Sequence, residues 1–104
     1  MAYKHVFLPK AQDDYDGIVD YLVNELKSKQ AARNFVDEFD HQVNLVCENP
    51  RLYALSRFKE LSELGYHSFL INNYIALYRV FDEIIVIAHV FHQKQNYASL
   101  VRNV

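Results

Sequence analysis

The run His92 to Tyr97, HQKQNY, holds an imidazole, an ammonium and a phenol at positions 92, 94 and 97. Such groups can take a proton, give one and hold an anion. Metal-free cleavage of a phosphodiester beside a 2′-OH needs a base for the hydroxyl, a cation for the crowded phosphorane and an acid for the leaving 5′ oxygen. His92, Lys94 and Tyr97 are therefore the candidate catalytic residues, with His67 as a second imidazole. Arg51, Arg57, Lys59 and Arg79 are the candidates for holding substrate phosphates, although loosely spaced cations such as the first three also describe a solvated loop. His89 and His92 are three apart in an extended segment and point to opposite faces, which argues against a shared metal. No metal or other cofactor is expected. His5 and His41 have no partner pattern and read as ordinary surface or boundary residues, and Tyr74 and Tyr78 share one strand face and read as core rather than as base-stacking platforms.

These residues need elements to position them. Tyr3 to Leu8 is rich in aromatic and β-branched types and predicts a short strand, ended by Pro9, which suits the first turn of a helix. Ala11, Tyr15, Ile18, Val19, Leu22 and Leu26 then draw one apolar stripe at helical spacing, with Asp13, Asp14 and Asp16 opposite it near the positive end of the helix dipole. Ser28 is a candidate N-cap for a second helix whose stripe is Ala32, Phe35, Val36, Phe39, Val43 and Val46, and Pro50 closes it. So short a connection predicts an antiparallel helix hairpin.

From Arg51 to Gly65 the periodicity is lost, which predicts a loop. Tyr66 to Ile71, Tyr74 to Phe81 and Ile84 to Phe91 are β-prone runs joined by Asn72 with Asn73 and by Asp82 with Glu83. The first pair suits a type I′ turn; the second is less typical there and predicts a bulge or longer loop. Ile84 to Phe91 is apolar on both faces and should be central. A short helix is expected from about Asn96. The fold class is α+β: a two-layer sandwich in which an N-terminal strand and an antiparallel helix hairpin accompany a largely antiparallel four-stranded sheet.

At 104 residues, with only two Gly and two Pro, the chain fits one domain over 1–104 filled by regular elements. Its apolar runs are far shorter than the ~20 residues that span a bilayer, and no signal pattern opens it, so a cytoplasmic location is expected with no membrane partner. The one cysteine, Cys47, cannot form an internal disulfide and sits beside Leu45 and Val46, which predicts a buried structural thiol. Net charge is −2, but residues 1–50 hold five Lys/Arg against nine Asp/Glu and residues 51–104 six against four. A slightly acidic total thus leaves room for a locally positive surface in the second half.

Several stretches at matching spacing resemble the RelE/ParE superfamily of toxins from type II toxin–antitoxin (plasmid stabilisation) systems. FLPKAQDDYDGIVDYL resembles the family's first strand and helix, AARNFVDEF and ENP its second helix and terminating proline, and GYHSFLINNYIALYRVFDEIIVIAHVFHQKQNYASL its β meander with a basic, aromatic-tipped tail. The resemblance implies a cognate antitoxin partner that covers the functional face. It also implies one of two activities: ribosome-dependent mRNA cleavage, as in RelE-like members, or poisoning of DNA gyrase without nuclease action, as in ParE-like ones. From the sequence the endoribonuclease is the expected activity, with the gyrase poison and a degenerate toxin that only binds antitoxin as alternatives. Two departures matter. Ile75 follows Tyr74 where nuclease relatives commonly carry a phosphate-contacting arginine, and Lys94 stands nearest a second arginine, with the charge but without the bidentate fork. Arg79 shares the strand face of Ile75 and is expected to reach over the same surface. Ile75, Leu77 and Phe81, if exposed, are expected antitoxin contacts.

Overall fold

The computed structural model describes residues 3–95. The first strand, β1 (Lys4–Phe7), leads through Leu8 into α1 (Pro9–Asp20), with Pro9 in the first turn, where its missing N–H costs nothing. A single π-helical turn, Tyr21–Glu25, continues α1, and Lys27 at φ 52° reverses the chain. The widened turn breaks the predicted stripe: Leu22 is buried while Leu26 is exposed. The acidic residues also differ from expectation. The first turn of α1 holds no carboxylate, so Asp13, Asp14 and Asp16 lie one turn past the strongest part of the dipole.

The second long helix, α2 (Lys29–Glu48), begins as predicted, with the Ser28 Oγ accepting the Ala31 N–H at 3.1 Å. Its stripe buries Ala32, Phe35, Phe39, Val43, Val46 and Cys47. Tyr15 on α1 meets both Phe35 and Phe39, at ring-centroid distances of 5.3 and 5.0 Å, so the two helices fold back on one another. No helix among the described residues is long and apolar enough to cross a membrane.

Residues 51–65 were expected to be irregular, and they hold more structure than that. Leu55 forms an isolated bridge with His67, and α3 (Lys59–Glu63) completes one helical turn, too short to leave a period in the sequence. Its Leu61 is fully buried.

β2 (His67–Ile71), β3 (Tyr74–Phe81) and β4 (Ile84–His92) form the antiparallel meander, and β1 pairs in parallel with β4, giving the order β1-β4-β3-β2. β4 is central, as its two apolar faces require. Both links are two-residue turns, with positive φ at Asn72 (54°) and Asp82 (53°), residues whose short polar side chains tolerate the left-handed region. The Asp82–Glu83 link needs no bulge after all. The bulge lies within the sheet: Leu77 pairs with His89 and Tyr78 with Ile87, leaving Ala88 unpaired.

That extra residue switches faces along β4. Ile85 and Ile87 join Phe69, Ile71, Ala76 and Tyr78 under the helices, and after the bulge Val90 takes the helix side while His89 and Phe91 take the other. The outer face has its own small core, in which Leu61 covers Tyr66, Ile75, Leu77, Ala88 and Phe91. Ile75 and Leu77 are accordingly buried, which removes them as exposed antitoxin contacts and leaves Phe81, half exposed, from that trio.

Candidate functional site

The candidate residues occupy three separate places. The first lies where β4 ends. His92 borders a surface cleft of about 800 Å³ between the π-helical turn, α2 and the β2–β3 turn, its ring edge-on to Tyr74 at 5.3 Å. Asp37 and Glu38 line that cleft, and Asp13 and Asp14 line a second one on the other side of His92. Lys94 follows in an exposed turn, and its backbone N–H donates to His92 Nδ1 at 3.2 Å. With Nδ1 accepting, the neutral His92 ring carries its proton on Nε2 and presents a hydrogen-bond donor there. Tyr97 and the expected C-terminal helix lie outside the described residues.

His67, at the start of β2, makes the opposite commitment. Its Nδ1 sits 2.9 Å from the Tyr53 carbonyl oxygen and must donate to it, which leaves Nε2 as the lone-pair nitrogen, suited to accept a proton. The ring stacks on Tyr78 at 5.1 Å and borders a cleft of about 800 Å³ shared with Asn49, Arg51 and Asp82. Burial pushes the Tyr78 phenol up to about 12, with Tyr53 adding to the effect. Burial, with Tyr21 nearby, likewise raises Tyr74. Both phenols stay protonated and pack against the core, and the Tyr78 hydroxyl donates to the Pro50 carbonyl at 3.3 Å.

His67 and His92 are not brought together. His67 is opposite Tyr78 and His92 is opposite Tyr74, so they are four rungs apart along β3 and on either side of it. At about 3.3 Å per residue and 4.8 Å per strand, their Cα atoms are roughly 16 Å apart. A base and an acid serving one phosphate must each come within about 3 Å of it.

The third place is the outer face. Arg79 does share the face of Ile75, but its guanidinium carbon sits 4.5 Å from the Tyr66 ring centroid and 5.4 Å from that of Phe81, and Ile75 is covered. Arg79 cannot take over the surface of a residue that is itself buried under Leu61. Of the loop cations, Arg57 lies over the Phe58 ring at 5.0 Å and lines a cleft of about 580 Å³ that also contains Gln93. Gln93, just beyond β4, and Arg57 therefore share one cleft, with no histidine among its lining residues. Lys59 is exposed and pairs loosely with Glu63 at 3.8 Å.

Cys47 is buried and burial raises its thiol pKa, consistent with a structural role. His5 and His41 are exposed. Two features escaped the sequence reading. One is the carboxylate lining of the His92 cleft, invisible until α2 is docked. The other is Asp14, whose Oδ2 accepts the Val90 N–H at 3.1 Å where β1 has already ended.

Residues 6–97 match the family model described as the ParE toxin of the type II toxin–antitoxin system parDE. No curated protein matches the chain. Among solved structures, the chain is similar to the chromosomal ParDE system of P. aeruginosa, with TM-score 0.67 and 21% identity over 88% of this chain and 96% of that one. A mutant E. coli RelE toxin in the free state gives 0.64 and 15%, over 96% and 93%. The S. aureus YoeB dimer gives 0.62 and 20%, over 88% and 98%. At these identities the structures speak for the fold alone.

Proposed function

Because this chain belongs to the ParE toxin family of type II toxin–antitoxin systems, within the RelE/ParE superfamily, we propose that it arrests growth by binding its target and not by cutting RNA. The resemblance implies DNA gyrase as that target and an antitoxin as the partner that silences it. The observation carrying this reading is the separation of the two imidazoles. The Cα atoms of His92 and His67 are roughly 16 Å apart by strand geometry, and each ring packs against a different tyrosine, Tyr74 or Tyr78, which speaks against their meeting at one scissile phosphate. The carboxylates beside His92 support it too, since Asp37 and Glu38 repel a phosphate backbone at the cleft where a nuclease would need cations.

One observation favours the endoribonuclease instead: the Lys94 backbone N–H donates to His92 Nδ1, which keeps an imidazole and a lysine in one turn at the end of β4. Inducible expression in cells separates the readings. The binding mode predicts growth arrest with gyrase-linked DNA breaks, unchanged within about twofold by His92→Ala together with Lys94→Ala. Ribosome-dependent mRNA cuts that disappear in that double variant would establish the nuclease.

A further inference from the structure

Leu61 and its neighbours cover the outer face of the sheet only in part. Toward the β3–β4 turn, Val6, Phe81 and Ile84 remain 45, 50 and 40% exposed, with Val86 half-buried beside them. Pairing sets them in two adjacent rows across three strands, Val6–Val86–Arg79 and Lys4–Ile84–Phe81. Arg79 is a fixed part of this surface. Tyr66 and Phe81 flank its guanidinium, and its Nε is shielded from solvent with no hydrogen-bond partner. No carboxylate lies within ion-pairing distance of it among the described residues. Only the terminal nitrogens of Arg79 are open to a partner, and a guanidinium flanked by two aromatic rings has already lost much of the freedom that pairing with a carboxylate would otherwise remove. The other charge in the rows is also positive, Lys4, while the acids Asp82 and Glu83 are confined to the turn at the end of the patch. A contiguous apolar patch around an ordered arginine is the composition of a protein-binding surface.

We propose that this face receives an acidic, apolar-bearing segment of the antitoxin, with one of its carboxylates on the free Arg79 donors and its apolar side chains on Val6, Phe81 and Ile84. The assignment rests on the toxin reading above and adds the surface and the chemistry of the partner. Leu61 and Phe58 cover the other half of the sheet's outer face, so the partner segment completes a layer that the described residues supply only partly.

The test uses the full chain and its antitoxin, titrated against each other at two salt concentrations. Arg79→Lys keeps the charge and loses the fork, and Phe81→Ser alters a half-exposed side chain; circular dichroism verifies that both fold. Each should weaken binding roughly tenfold or more, with the salt dependence of binding kept in Arg79→Lys, whose charge is intact, while the distant Lys59→Ala stays within about twofold. Wild-type affinity in both variants would overturn the proposal while leaving the toxin reading intact. Failure of the wild-type chain to bind the antitoxin at all would overturn both.

Discussion

Two imidazoles in this chain are held in opposite tautomers by the backbone groups they touch, and neither tautomer is written in the residue type. His67 gives its Nδ1 proton to the Tyr53 carbonyl, whereas His92 accepts the Lys94 N–H. The sequence supplied both histidines as candidates because imidazole suits the chemistry, but tautomer and separation depend on loop geometry that no periodicity encodes. A third imidazole, His89, is buried and stacked on Phe91 at 5.4 Å, with Nδ1 unpartnered. Burial holds its pKa below the ordinary 6.5. The Asp14 carboxylate opposes this, and Lys10 and Arg79 act with burial. Above pH 6.5 His89 is neutral in both states. As pH falls below that value, the unfolded chain takes up a proton that the folded chain does not, so stability is lost with acidification. Denaturant midpoints at about pH 7.5 and pH 5 should therefore fall less for His89→Leu than for the wild type; equal falls would mean His89 is not the group responsible.

Elements with several turns or strict alternation were legible, and those set by a single local irregularity were not. The stripe from Ala32 to Val46 and the Ser28 cap appear where the spacing put them. The π-helical turn, the five-residue α3 and the bulge at Ala88 each depart from a pattern by one residue or one turn, and an apolar run such as Ile84 to Phe91 looks the same with or without a bulge. Asp14 illustrates the consequence for function at this scale. Because β1 ends at Phe7, the edge of β4 beyond Ile87 has no strand beside it, and the Asp14 carboxylate, itself 2.6 Å from Lys10 Nζ, takes the Val90 N–H instead. Asp14→Ala leaves that amide without its acceptor. Hydrogen exchange followed by NMR should be faster at Val90 by about tenfold or more, corresponding to the roughly 1–3 kcal/mol of an unmade buried hydrogen bond. Unaltered protection at Val90 would show that another group satisfies it.

At the scale of the molecule, the sandwich of helix hairpin and four-stranded sheet was legible because each layer leaves an apolar face that the other must cover. The candidate site was legible only as a set of residue types. The fold distributes that set between an acid-lined cleft at His92, a second cleft at His67 and Arg51, and the outer face at Arg79, a distribution suited to a protein that presents surfaces rather than one that assembles an acid, a base and a cation around one phosphate. The most direct test is a cleavage assay with purified chain, purified DNA gyrase and closed circular DNA, run beside programmed ribosomes carrying mRNA. The account predicts gyrase-dependent double-strand breaks and intact message; cut message with gyrase unaffected would contradict it.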